Sequence, residues 1–166
     1  MKYIRRCASP LGGITLASDG AALTGLWFDG QRFFGRGLSG APEERALPVF
    51  DEAARWLEAY FSGREPEGRP PLHLRATPFE SAVWQQLLRI PYGETVTYGA
   101  IARILSAQSG RTVSPRAVGG AVGRNPVSLL IPCHRVVGAG GALTGYAGGV
   151  MRKEWLLALE RGGTPR

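Results

Sequence analysis

Short apolar runs broken by turn residues open the chain. Lys2 to Ala8, Gly13 to Ser18 and Ala21 to Phe28 are split by Ser9-Pro10-Leu11-Gly12 and Asp19-Gly20, a β-hairpin pattern. A glycine-rich loop runs from Asp29 to Gly40. The period then lengthens: Phe50, Ala54, Leu57 and Phe61 recur at helical spacing within Pro48 to Phe61. Ser62 to Pro71 is turn-rich and reads as a linker. The pattern divides the chain into residues 1–72 and 73–166.

The second part opens on a stronger local signal. Thr77, Pro78 and Glu80 spell a capping box with proline at the first helical position. Phe79, Val83, Leu87 and Leu88 mark the buried face, and Pro91-Tyr92-Gly93 stops the helix. A second helix starts after Thr97, with Tyr98, Ile101, Ile104 and Leu105 spaced for packing. Ser106 to Ser114 is a polar connection, and a third helix spans Pro115 to Arg124. Helix, turn, helix suggests a DNA-binding unit. Gly119, Gly120 and Gly123 each cost that third helix about 1 kcal/mol against alanine. Either tight helix packing or the close approach of another molecule explains them. An apolar helix covers Trp155 to Leu159, and the tail Arg161 to Arg166 reads as disordered.

Charge sharpens the division. Net charge is +7 over 166 residues. Residues 1–76 carry only +1 of it and residues 77–166 carry +6. No acidic residue falls between Thr95 and Lys153, while Arg103, Arg111, Arg116, Arg124, Arg135, Arg152 and Lys153 do. Such a half suits a polyanion. No apolar run reaches membrane-spanning length, and Met1 to Arg6 precedes no signal-type apolar stretch. Cys7 and Cys133 lie too far apart to suggest a disulfide framework. These features predict a cytoplasmic protein.

The candidate chemistry sits at Ile131-Pro132-Cys133-His134-Arg135-Val136. The apolar run Val127 to Ile131 reads as a strand that presents a thiol at its end, followed by small residues from Gly138 to Gly149. A cysteine with a histidine is the minimum for thiolate chemistry. Neighbours on an extended segment point to opposite faces, so a water can lie between the two side chains. The plainer reading is a buried cysteine acting as a small hydrophobe.

Pro132-Cys133-His134-Arg135-Val136 resembles the active-site signature of the O6-alkylguanine-DNA alkyltransferases. Ile90 to Thr95, Tyr98, Arg116 to Ala121, Asn125-Pro126, Gly145 to Gly149 and Lys153 to Leu157 resemble the same family in the same order. The resemblance runs from about Thr77 to Glu160. It implies an α+β protein, with a small ribonuclease H-like α/β domain supporting a mostly helical, winged-helix-like domain. The implied activity is irreversible, stoichiometric transfer of an alkyl group from O6-alkylguanine in DNA to Cys133, with O4-alkylthymine as a further substrate. The nucleotide would be flipped out through the minor groove. By the same resemblance, Glu160 orients His134, and His134 deprotonates Cys133 through a water. Tyr98 would meet the base and the neighbouring phosphate. Arg116 would enter the vacated stack, and Asn125 would join the DNA-binding helix to the thiol segment. Val136, Tyr146, Ala147 and Gly148 would wall the base pocket. Thr97, Tyr98, Pro115, Arg116, Ala117, Gly119, Gly123, Arg124 and Asn125 would contact DNA.

Without the family, Glu160 is a helix-terminal acid, Tyr98 a core aromatic and Asn125-Pro126 a turn. Two departures stand out. Many relatives have serine where this chain has Ala147, which keeps only its backbone N–H, and a smaller residue suits larger alkyl groups. Others place the arginine of Gly123-Arg124 one residue earlier. Some members hold a structural zinc in the first domain. Here Cys7 and His73 are its only soft ligands, too few for a tetrahedral site, so no metal and no cofactor is expected. The expected partner is double-stranded DNA containing O6-alkylguanine, bound by a monomer with no obligate protein partner. The competing functions are a lesion binder without repair, a helix-turn-helix regulator and a cysteine hydrolase. The first would lack Cys133, the second would need base-reading side chains on its recognition helix, and the third would turn over.

Overall fold

The structure, a computed structural model, describes residues 2–163. The three expected hairpin runs form β1 (Tyr3–Cys7), β2 (Ile14–Ser18) and β3 (Leu23–Phe28), successive antiparallel neighbours. A two-residue strand, β4 (Glu43–Glu44), pairs in parallel with β1 and gives the sheet order β3-β2-β1-β4. Its two exposed glutamates carry no apolar signal, so the pattern could not show it.

Helix α1 (Pro48–Phe61) has the expected bounds but presents a different face. Val49, Phe50, Ala53, Leu57 and Tyr60 are buried, whereas Ala54 and Phe61 are half-buried. Both sets have helical period and share Phe50 and Leu57. The set containing Tyr60 lies inward, where the phenol finds buried partners described below.

The second part is helical. The chain continues through α2 (Pro78–Leu87), β5 (Val96–Thr97), α3 (Tyr98–Ser109), α4 (Pro115–Gly123), β6 (Val136–Val137) and α5 (Val150–Glu160). The capping box of α2 is complete, with Thr77 and Glu80 bonding reciprocally. Thr97 and Ser114 cap α3 and α4 through bonds from the Ala100 and Ala117 N–H groups. Trp84 joins Val83 and Leu87 on the buried face of α2, while Ile104, expected to pack, is exposed. The fold is α+β, with a small sheet followed by helices.

One hydrophobic cluster spans both parts, from Ile14 and Phe50 to Val118 and Leu156. The free edge of β3 joins them further. Leu23 exchanges backbone bonds with Pro71 and His73, at 2.8 and 2.9 Å. Leu26 does the same with Pro126 and Ser128, at 2.9 and 3.1 Å. The segment leading to Cys133 therefore starts out stapled to the N-terminal sheet.

Arg161, Gly162 and Gly163 are not loose as expected. Their N–H groups bond Leu157, Leu159 and Ala158 carbonyls at the end of α5, and the remainder of the expected tail, 164–166, lies outside the described residues. Among the described residues, no helix is long and apolar enough to cross a membrane.

Candidate active site

The run Val127 to Ile131 is buried as expected, but it is not a strand. Only Val127 makes a bridge, to Leu26, and the chain then turns tightly with Leu129 at φ 71°. Asn125 locks this turn. Its amide N–H donates to the Ile131 carbonyl at 2.8 Å, and its amide oxygen accepts from Val127 N–H at 2.9 Å. Asn125 is 3 % exposed with both ends of its amide engaged. Its side chain, expected among the DNA contacts, is turned inward and ties the end of α4 to the thiol segment.

Cys133, His134 and Arg135 form one 3₁₀ turn, which β6 follows directly. Val136 is fully buried there, paired in parallel with Val96 of β5. Burial pushes the Cys133 thiol up, against the lowering effects of the Asn125 side chain and the Lys153 charge. The resting sulfur is therefore a thiol that needs a base.

The neighbouring His134 has a well-fixed partner. Glu160 is buried at the end of α5 and takes four donors. His134 Nε2 and the Tyr60 hydroxyl, the latter at 2.6 Å, share Oε2. Arg135 Nε at 2.7 Å and Gly93 N–H at 3.1 Å share Oε1. Burial opposes the charge on Glu160, but the bonds from His134 and Arg135 outweigh it and hold the pKa down to about 2. An ionised carboxylate accepts only, so His134 donates from Nε2. Burial keeps the His134 pKa low despite Glu160, so the ring is neutral at rest. Nδ1 is then the basic atom, and no group among the described residues bonds it. No direct hydrogen bond joins the Cys133 and His134 side chains, as their adjacency on the chain suggests.

Between α4 and the Thr144–Ala147 segment lies a cavity of about 430 Å³, lined by Tyr98, Pro115, Arg116, Gly119 and Gly123 on one side and Tyr146 and Ala147 on another. Tyr146 lines the cavity, and its buried hydroxyl makes no hydrogen bond among the described residues, while burial and the nearby Cys133 push its pKa up. Gly148 makes that placement possible, as a Cβ there would sit 2.5 Å from the Tyr146 ring. The Tyr98 hydroxyl reaches the Thr144 and Gly145 carbonyls, both at 3.3 Å. Lys153, fully buried, donates to the same carbonyl of Thr144 at 3.0 Å and lies over the Tyr98 ring.

The glycines of α4 are not required by internal packing. A Cβ at Gly119 would make ordinary contact with Tyr98 at 3.8 Å, and one at Gly123 would meet nothing within 4 Å. A Cβ at Gly120 would meet only the end of the Arg124 side chain, at 3.3 Å. Of the two sequence explanations, approach from outside fits this surface better. Pro115, Arg116 and Ala117 are exposed on it, while the Thr97 hydroxyl is engaged in its cap.

The basic run divides on inspection. Arg135 and Lys153 are buried, and Arg152 is spent on the Leu11, Gly148 and Asp29 carbonyls. Arg124 Nε bonds Glu80, which Arg36 also holds. Arg103, Arg111 and Arg116 are exposed.

The first part, expected only to support the second, also sends side chains to the site. Tyr60 bonds the Glu160–His134 pair, and Arg32 and Phe33 line the cavity. The Arg32 N–H also bonds the Ala147 carbonyl at 2.9 Å. Tyr60 had a legible helical period, though in a competing set of positions. Arg32 and Phe33 sit in a loop without any periodic signal. Cys7 is half-buried and packed against the core, and burial raises its thiol pKa. Among the described residues, no three His, Cys, Asp or Glu side chains group to hold a metal ion.

Two family matches cover nearly the whole chain. Residues 2–74 match the ribonuclease-like domain of 6-O-methylguanine DNA methyltransferase, and residues 78–162 match its DNA binding domain. The chain belongs to the 6-O-methylguanine DNA methyltransferase family. The methylated-DNA–protein-cysteine methyltransferase of Mycobacterium leprae is 45% identical, covering 97% of this chain and 93% of the relative. That of Mycobacterium bovis is 44% identical, covering 99% and 96%. The crystal structure of Mycobacterium tuberculosis OGT in complex with DNA aligns with TM-score 0.82 and 43% identity, covering 98% of this chain and 95% of that one. In this member of the methyltransferase family, the buried thiol and the His134–Glu160 pair lie in the part that matches the DNA binding domain.

Proposed function

We infer that this protein repairs O6-alkylguanine in DNA by moving the alkyl group onto Cys133, once per molecule. The observation that carries the reading is the buried thiol beside a neutral histidine fixed by a four-donor carboxylate. A cavity bordered by α4 and by Tyr146 accompanies them.

Helix α4 would enter the minor groove of duplex DNA with Pro115, Arg116, Ala117, Gly119 and Gly123 on the contact face. Small side chains suit the narrow groove. Thr97 and Arg124 flank that face. Arg116 fills the stack that the extruded nucleotide leaves, offsetting part of the few kcal/mol that flipping costs. The base enters between Tyr98 and the Tyr146–Gly148 segment, with Val136 behind.

The thiol proton passes to His134 Nδ1 through a water, and Glu160 stabilises the imidazolium that results. The thiolate attacks the alkyl carbon in line. A sulfur–carbon bond forms as the carbon–O6 bond breaks, and the electron pair leaves with the guanine. The Ala147 N–H and the Tyr98 hydroxyl, once released from the Thr144 and Gly145 carbonyls, would stabilise that anion, which takes up a proton to become guanine. The product thioether has no neighbour that could hydrolyse it, so the protein stops after one event. Of the alternatives, a lesion binder has no use for an activated thiol, and a hydrolase differs by turning over, which the titration below reads.

Titration of a duplex bearing radiolabelled O6-methylguanine tests the reading. One label per protein molecule, retained after denaturation, is expected. Label released to solvent with continued turnover, or no transfer at all, overturns it.

A further inference from the structure

Tyr60 belongs to α1, in the part of the chain that matches the ribonuclease-like domain, yet its hydroxyl ends inside the catalytic relay. It donates to Glu160 Oε2 at 2.6 Å and lies 3.3 Å from His134 Nε2. The ring is fully buried, stacked on Trp56 and edge-on to Tyr92 and His134. Two donors therefore share one oxygen of Glu160. Each donor on a carboxylate spreads its charge and weakens its hold on the others.

We propose that Tyr60 is a positioning residue of alkyl transfer that shares Glu160 Oε2 with His134 and so sets the basicity of His134. Without the phenol, Glu160 would hold the Nε2 proton more strongly and the imidazolium would be favoured. With it, His134 stays neutral over a wider pH range and remains ready to accept the thiol proton. The first domain then contributes directly to the reaction that the second performs. This inference rests on the alkyl-transfer reading for its catalytic meaning, but not for its first readout.

Other charged and titratable groups face the pair. They are Arg135 and Cys133 on the same turn, Lys153 on α5, Tyr92 before β5 and Tyr146 before α5. All are unchanged in Tyr60→Phe, which deletes one hydroxyl and keeps the ring. The chain has only two histidines, His73 and His134. His73 is exposed and pairs with Asp19 far from the site, so it serves as an internal control.

The test is the titration of both histidines by NMR on the full chain, wild type and Tyr60→Phe, with transfer rates from methylated duplex across the same pH range. A hydrogen bond to a charged group corresponds to about one pKa unit. In Tyr60→Phe, His134 is expected to titrate about one unit higher while His73 does not move. The acidic fall in transfer rate should move up with it, a roughly tenfold deficit on that side. Site-specific replacement by 3-fluorotyrosine, a stronger donor, should shift both in the opposite direction. It also keeps the test open if Tyr60→Phe fails to fold. Superimposed histidine titrations and rate profiles in either folded variant overturn the proposal. Absence of transfer by the wild type would instead overturn the alkyl-transfer reading.

Discussion

Gly148 and Tyr146 are sterically coupled: a Cβ on residue 148 would lie 2.5 Å from the Tyr146 ring. The ring holds one wall of the cavity, and burial and the nearby Cys133 push the pKa of its hydroxyl up. Gly148→Ala must displace that ring, because the collision is with its body and not with a flexible tip. Overpacking typically costs about 1–3 kcal/mol. Transfer should slow by about tenfold or more while duplex binding through α4 is retained, since a misplaced reacting group loses rate steeply. Quench-flow rates with a methylated duplex check this, and a wild-type rate would show that the Tyr146 position does not matter.

Cys133→Ala should abolish transfer and leave duplex binding, whereas Cys7→Ala should alter neither. Only Cys133 has a base system beside it, and Cys7 is packed at the end of β1 with its thiol pKa raised by burial. Gel retention of labelled duplex alongside label transfer separates binding from chemistry. Transfer by the Cys133→Ala protein would move the acceptor elsewhere.

Local signals made much of the fold legible. The bounds of α1, the capping box at Thr77 and the start of α3 after Thr97 were all readable, because caps and prolines act within one turn of chain. What depended on distant partners was not. Val127 to Ile131 is apolar enough for a strand, but Asn125 bonds its backbone at both ends and closes it into a turn. Tyr60 could have faced either way on helical period, and only Glu160, a hundred residues further on, decides it. The same holds for charge. Arginine-rich sequence does not distinguish Arg116, which is exposed, from Arg135, which is buried against Glu160.

Glu160→Gln should raise the apparent pKa of the reactive thiol. Glutamine is a weaker acceptor from His134 Nε2, so His134 becomes a poorer base and thiolate scarcer at neutral pH. Rates of transfer should fall at pH 7 and recover only where the pH is high enough to ionise the thiol without His134, a limb separate from the acidic one that His134 protonation sets. The fold should also lose an acid-sensitive contribution. The folded pKa of Glu160, about 2, lies below the ordinary glutamate value. Its stabilisation is therefore complete above about pH 4.3 and is lost as pH falls towards 2. Urea melts should show a shallower loss over that window in Glu160→Gln than in wild type. Superimposed rate profiles would leave Glu160 a structural acid only.

Arg116→Ala should slow repair of duplex far more than reaction with a free base such as benzylguanine. The side chain is exposed at the start of α4 and borders the cavity, where it can occupy a vacated stack. A free base leaves no stack to hold open. A drop of about tenfold or more on duplex corresponds to a flipping penalty of a few kcal/mol only partly met. Equal losses on both substrates would place Arg116 among the groups that hold the base itself.

Reaction should loosen the protein as well as inactivate it. Cys133 is 3 % exposed within a packed turn, so an added alkyl group has little room. The Asn125 side chain bonds Ile131 and Val127 and helps lower the thiol pKa, and Asn125 follows the Arg124 cap of α4. Strain at the sulfur is therefore expected to reach α4 through one amide. Overpacking of about 1–3 kcal/mol, at about 2–4 °C per kcal/mol for a chain of this size, predicts a clear fall in melting temperature. Affinity for duplex should fall with it, and a benzyl donor should widen both differences over a methyl donor. Melting curves and binding isotherms before and after reaction with each donor measure this. If alkylated and free protein match in both, the site absorbs its product and Asn125 acts only to hold the turn.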